Sequence, residues 1–179
     1  MLKELLPALR AFAALTVLTG VAYPLLVTAF AQLFPVQAQG DPSLIGQPFS
    51  DAKYFWSRPS ATSPQPYNGA ASSGSNQGPT NKALADAVAD RVKALREADP
   101  ENRRAIPADL VTASASGLDP HISPEAADYQ AARVAKARGM PEDRVKALVA
   151  AQTEARTLGF LGEPRVNVLL LNRALDAAK

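Results

Sequence analysis

The stretch AFAALTVLTGVAYPLLVTAFAQLFPVQAQG, residues 11–40, decides how the rest of the chain is read, because none of its thirty residues carries a charge. Charges flank it on both sides, with Lys3, Glu4 and Arg10 before it and Asp41 after. As a helix, residues 11–34 rise about 36 Å at ~1.5 Å per residue, enough to cross a hydrocarbon core of roughly 30 Å with some tilt. The competing reading is a cleaved secretory signal: Lys3 and Arg10 give a positive start, and Val36, Gln37 and Ala38 give a small-residue cleavage pattern. Apolar regions of such signals run about 7–15 residues, and this one is longer, which favours an uncleaved signal-anchor. Lys3, Arg10 and the terminal amine precede the span and the first charge after it is acidic, so the N-terminus is expected in the cytoplasm. The expected division is a cytoplasmic N-terminus at 1–10, a transmembrane anchor at 11–36 and an extracytoplasmic domain at 37–179.

Inside the span, Pro24 has no N–H to donate to the carbonyl of Gly20, and Thr16 lies one turn earlier. Thr16, Gly20 and Pro24 therefore mark a bend with a small-residue face, a candidate surface for a partner helix.

Composition narrows the functional classes. The 179 residues carry 19 Lys and Arg against 17 Asp and Glu, a net charge of +2, with no basic block to serve as a nucleic-acid footprint. Absence of cysteine removes disulfides, thiolate chemistry and cysteine-based metal sites, and a single histidine removes multi-histidine clusters.

Beyond the span, eighteen of the forty residues 41–80 are Pro, Gly or Ser, the composition of an irregular arm. Tyr54, Phe55 and Trp56 read as a short strand with Phe55 on the opposite face, stopped by Ser57, Arg58 and Pro59. From Lys82, the stripe Leu84, Val88, Val92 and Leu95 predicts a helix capped by Thr80 or Asn81, with Pro100 beyond its end. Residues 109–114 predict a strand around Leu110 and Val111. Ser123 followed by Pro124 is an N-cap with proline at the first helical position, and that helix should end near Gly139. Pro141 opens a third helix with Val145, Leu148 and Val149 on its apolar face and Gly159 at its close. Val166 to Leu171 predicts a strand passing into a terminal helix through Asn172 and Leu175; the apolar density of this tail is that of core, where Asn167 and Asn172 would need hydrogen-bond partners. The fold class expected is α/β: one N-terminal transmembrane helix followed by a small mixed α/β extracytoplasmic domain.

Several loops invite functional readings. Ser72 to Asn81 is rich in glycine and small polar residues, so Ser73, Gly74, Ser75, Asn76 and Gly78 are candidates to offer backbone N–H groups to a phosphate. The Gly-Lys-Ser/Thr register of a P-loop is missing, and a turn with a helix cap explains the same residues. Ser114 to Pro124 places Ser, Asp119 and His121 close in sequence, which is turn chemistry rather than a triad, because a triad is assembled in space. Glu163 and Arg165 form an expected ion pair or partner contact, and Trp56 and Arg58 join them, with Asp119 and His121, as partner-interface candidates.

Taken together, these blocks resemble one family. They are Tyr54 to Ala61, Tyr67-Asn68, Ser73 to Asn81, Asp109 to Ser114, Ser116 to Pro124 and Gly162 to Asn172, and their order and spacing resemble the C subunit of the Kdp potassium-transporting ATPase, the KdpC family. One departure is Ser72-Ser73-Gly74-Ser75-Asn76, where the family typically carries paired glycines. The resemblance implies a non-catalytic accessory subunit of the cell inner membrane. Its implied partners are a channel-like potassium-translocating subunit, a P-type ATPase subunit and a small single-helix subunit, besides membrane lipid and without nucleic acid. It implies that ATP, Mg and K are used by the complex with no cofactor of the chain's own, and that the subunit raises the ATPase's apparent ATP affinity, in some descriptions by direct ATP binding. An extracytoplasmic domain cannot reach cytosolic ATP, so the charge asymmetry points instead to coupling through the membrane partners. A self-sufficient anchored or secreted extracytoplasmic binding protein or hydrolase is the alternative.

Overall fold

A computed structural model describes residues 2–33 and 42–178, which divide into two compact units, Met1–Gly40 and Asp41–Lys179. The expected end of the anchor at 34–36 and the cleavage pattern at 36–38 lie outside the described residues.

The first unit is one continuous helix with a change of winding: α1 at Leu2–Val17, a π-helical turn at Leu18–Ala22, and α2 at Tyr23–Ala31. It begins nine residues before the apolar stretch, because Leu, Lys, Glu, Ala and Arg in residues 2–10 are good helix formers and their charges do not stop a helix. Within it, Glu4–Ala31 is long and apolar enough to cross a membrane. The winding changes where Gly20 and Pro24 were expected to weaken the ladder. Pro24 denies Gly20 its usual donor four residues on, and at this turn the N–H of Tyr23 bonds the carbonyl of Leu18, five residues back. One turn earlier, the Thr19 hydroxyl donates to the Leu15 carbonyl at 2.7 Å.

In the second unit, α3 spans Lys82–Ala98, and the Asn81 side chain accepts from the Ala83 N–H at 2.9 Å as its cap. Its apolar stripe deepens along its length, with Leu84, Val88 and Val92 half-buried and Leu95 buried. Strand β1 is His121–Ile122, and α4 follows at Pro124–Arg138, capped by Ser123 and closed by Gly139 in the left-handed region at φ +64°. Then come α5 at Glu142–Ala151, β2 at Thr153–Glu154, β3 at Arg165–Asn167 and α6 at Val168–Ala177. The three strands form an antiparallel sheet in the order β1-β3-β2, with Ile122 opposite Val166 and Glu154 opposite Arg165. Phe55, Ile122, Val134, Val145, Val166, Leu171 and Leu175 are buried together in the core, where α4 and α6 pack on β3 and α5 packs on both of these helices.

Four sequence expectations are corrected. Residues 109–114 hold no strand: Ala108–Leu110 is a 3₁₀ turn that buries Leu110 beside Val111, and Asp109 uses its carboxylate to accept the Ser123 N–H at 2.7 Å. Helix α5 stops eight residues short of Gly159, because Thr153 and Glu154 pair with β3 instead. His121–Ile122, read as part of a loop, is a strand.

The fourth is Tyr54–Trp56, which is irregular backbone rather than a strand, yet its polar groups are met as a strand's would be. The Asn172 carboxamide accepts the Phe55 N–H at 2.9 Å and donates to the Phe55 carbonyl at 3.1 Å. Gln130 does the same for Trp56, at 2.8 and 3.2 Å. Two side-chain amides thus replace a neighbouring strand, which lets Phe55 enter the core with its backbone satisfied.

Candidate functional site

An open groove of about 760 Å³ gathers residues from three parts of the second unit: Arg58 from the arm, Asp119 and His121 at the entry to β1, and Glu163 and Arg165 at the entry to β3. Ile106 and Pro107 form its apolar wall, and Asp109 and Glu125 add carboxylates that the sequence reading did not single out. Five of the interface candidates therefore share one surface.

The turn before β1 fixes the centre of this groove. Gly117 has φ +68°, and a Cβ there would lie 2.5 Å from Thr62 Cγ2 and 2.7 Å from the Ser73 carbonyl, so only glycine fits. Ser60 donates to the Gly117 carbonyl at 2.7 Å, binding the arm to the turn, and within the arm the Tyr67 hydroxyl donates to the Arg58 carbonyl at 2.5 Å. Burial pushes the Tyr67 phenol above its ordinary pKa, which keeps it a donor. Arg58 then reaches Asp119 at 3.1 Å, while the Asp119 carboxylate also accepts the His121 N–H at 3.0 Å and lies 3.3 Å from His121 Nδ1. Burial raises the Asp119 pKa, but the two His121 hydrogen bonds and the Arg58 charge outweigh it and hold the carboxyl below its ordinary value.

The serines nearby serve the turn. Ser114 Oγ accepts the Gly117 N–H at 2.8 Å and Ser116 Oγ accepts the Leu118 N–H at 3.1 Å. Glu163 and Arg165 do not pair with each other. Arg165 stands directly across the antiparallel register from Glu154 and pairs with it at 2.8 Å, and Glu163 pairs with Arg156.

The other candidates lie elsewhere. Trp56 stacks under the Arg133 guanidinium, 4.5 Å from ring centroid to Cζ. Arg133 is itself buried, donating to the carbonyls of Ala52 and Tyr54 and to Gln130 Oε1, and burial lowers its pKa to about 10. A glutamine and an arginine three apart within the alanine-rich face of α4 were the available signal for this buried polar anchor. The loop candidates Ser73, Gly74, Ser75, Asn76 and Gly78 do not line the groove. Ser73 donates its N–H to the Ser116 carbonyl at 3.0 Å, and Gly74 lies so close to Ala115 that a Cβ would sit 2.8 Å from its carbonyl oxygen. Thr16, Gly20 and Pro24 lie on the N-terminal helix, exposed along its length.

With this geometry in hand, comparison with known proteins gives a consistent result. The family described as KdpC, K+-transporting ATPase, c chain, matches residues 5–177. A potassium-transporting ATPase KdpC subunit of Variovorax paradoxus (strain S110) is 63% identical, with 96% of this chain and 95% of that protein covered. The same-named subunit of Polaromonas naphthalenivorans (strain CJ2) is 62% identical over 97% of this chain and 94% of its own length. That of Sorangium cellulosum (strain So ce56) is 60% identical with both chains covered completely. The matched residues take in the apolar helix, the arm, the turn before β1 and the approach to β3, and the chain belongs to the KdpC family of potassium-transporting ATPase subunits.

Proposed function

We propose that the chain is a non-catalytic accessory subunit of an ATP-driven potassium uptake complex, anchored in the inner membrane by its N-terminal helix with residues 42–178 on the extracytoplasmic side. The observation that carries this reading is similarity over the whole chain to subunits named for such an ATPase. The positive charges of Lys3 and Arg10 ahead of the apolar helix support the orientation. In the groove, Asp119 is engaged by Arg58 and His121, and Arg165 by Glu154, an arrangement suited to holding a polar partner surface in register. The subunit assembles or stabilises the channel-like and ATPase subunits and a small single-helix subunit, and raises the ATPase's apparent ATP affinity by coupling through them. ATP, Mg and K are then used by the complex, with no cofactor held by this chain.

The test is purification of the tagged chain from membranes in mild detergent, with protease treatment of intact spheroplasts beside it. The expected outcome is co-purification with a potassium-stimulated ATPase, and loss of residues after 41 to protease. His121→Ala should weaken assembly modestly and leave turnover of assembled complexes close to normal. A chain that purifies alone with its own hydrolytic activity, or a domain protected in spheroplasts, contradicts the reading.

A further inference from the structure

The connection between β2 and β3 carries a feature that the groove does not use. Thr157 and Leu161 exchange backbone hydrogen bonds at 2.9 Å in both directions, closing a tight turn around Leu158, Gly159 and Phe160. At its tip the side chains are bare: Leu158 is 79% exposed, Phe160 68% and Leu161 50%. Leu158 also sits at φ +55°, in the left-handed region that leucine adopts only under strain. Large apolar side chains clustered in solvent on a strained turn mark an interaction surface.

Charge around the turn narrows the partner. Arg156 pairs with Glu163 across its base, and Arg165 pairs with Glu154 beside it, so the rim is neutral. An anionic lipid surface is held by unpaired basic residues, which this rim does not present. The turn is closed by its own hydrogen bonds before it meets anything, and such preorganisation favours a shaped recess over fluid lipid. Glu163 at the base of the turn and Arg165 beside it also line the groove, so the apolar turn adjoins a polar surface. Apolar centres beside polar rims are the anatomy of protein interfaces.

We propose that Leu158, Phe160 and Leu161 form a prong that seats in an apolar recess of another subunit of the same ATPase complex. This rests on the accessory-subunit reading above, and its test is chosen to fail separately. Because the chain has no cysteine, Phe160→Cys and Leu161→Cys each introduce a single thiol that a maleimide can report, with Ala89→Cys on the exposed face of α3 as control. Labelling is compared in the purified complex, in the isolated full chain in detergent, and in the isolated chain in phosphatidylethanolamine–phosphatidylglycerol vesicles.

The expected result is labelling of both prong thiols slowed about tenfold or more in the complex alone, with Ala89→Cys labelled equally throughout. Phe160→Asp should weaken retention of the chain in the complex by about tenfold or more, and Phe160→Leu should restore it. If the complex forms but its prong thiols label as fast as in the isolated chain, the prong is free and the inference is overturned while the accessory role stands. Protection in vesicles without partner subunits assigns the prong to the bilayer, and protection in the isolated chain in detergent assigns it to a micelle or a second copy. Either also overturns the inference.

Discussion

Asn172 is 2% exposed and meets both backbone groups of Phe55, a residue with no exposed surface. Removing its carboxamide strands a donor and an acceptor where water cannot replace them, so Asn172→Ala should destabilise the fold by about 2–4 kcal/mol, read as a lowered melting temperature of the full chain. From sequence, the need was legible in an asparagine inside an apolar helix face, but its partner 117 residues away was not. Asp119 offers a second test, this time in pH. Its folded-state pKa is depressed below 3.8, so its contribution is fully present above the unfolded value and is lost as pH falls through the folded one. Asp119→Asn should therefore cost about 1–2 kcal/mol at neutral pH, the partial exposure of its ion pair limiting the figure. The gap between wild type and variant should close as pH falls below about 4. A gap that stays constant from pH 7 to pH 3 would show that the carboxylate's charge plays no part.

Helices were legible wherever their ends carry local chemistry. Asn81 caps α3, Ser123 with Pro124 opens α4, and Gly139 closes it, each signal lying within a few residues of the boundary it sets. The strands β1 and β2 have two residues each, too few to show any alternation, and they exist because β3 lies between them. The groove shares this limit: its members stand out singly in the sequence, and only the sheet brings Arg165 near the turn that carries Asp119. In the N-terminal helix a weakened ladder near Gly20 was legible because proline's missing donor is a local fact, and the winding changes at Leu18–Ala22. Beyond its own helix's neighbouring backbone, a Cβ added at Gly20 meets no described atom within 4 Å, so Gly20→Leu leaves the isolated helix unhindered. If that replacement lowers recovery of the complex and its potassium-stimulated ATPase by about tenfold, as a closely packed partner helix requires, the obstacle lies in the partner. Unchanged assembly with Gly20→Leu would mean that this face of the helix meets lipid.

At the scale of the molecule, two surfaces of different kinds sit on one chain: an exposed apolar helix, and a folded unit with a polar groove and an apolar prong. The ten residues 32–41 join the helix end to the first described residue of the folded unit, a length that spans at most about 40 Å whatever its conformation. A covalent connection of this length makes the second of two contacts an intramolecular step. Each contact alone can then be weak while the pair is firm. Replacing residues 1–40 by a cleavable export signal should leave a domain that is exported and folded but binds the remaining subunits about a hundredfold more weakly, with potassium-stimulated ATPase recovered only when the domain is strongly overproduced. The loss should exceed that from Gly20→Leu, which removes one packing contact but keeps the tether. An anchor-free domain that restores full assembly and transport at ordinary expression would show that the helix serves only export, and would place all recognition in residues 42–178.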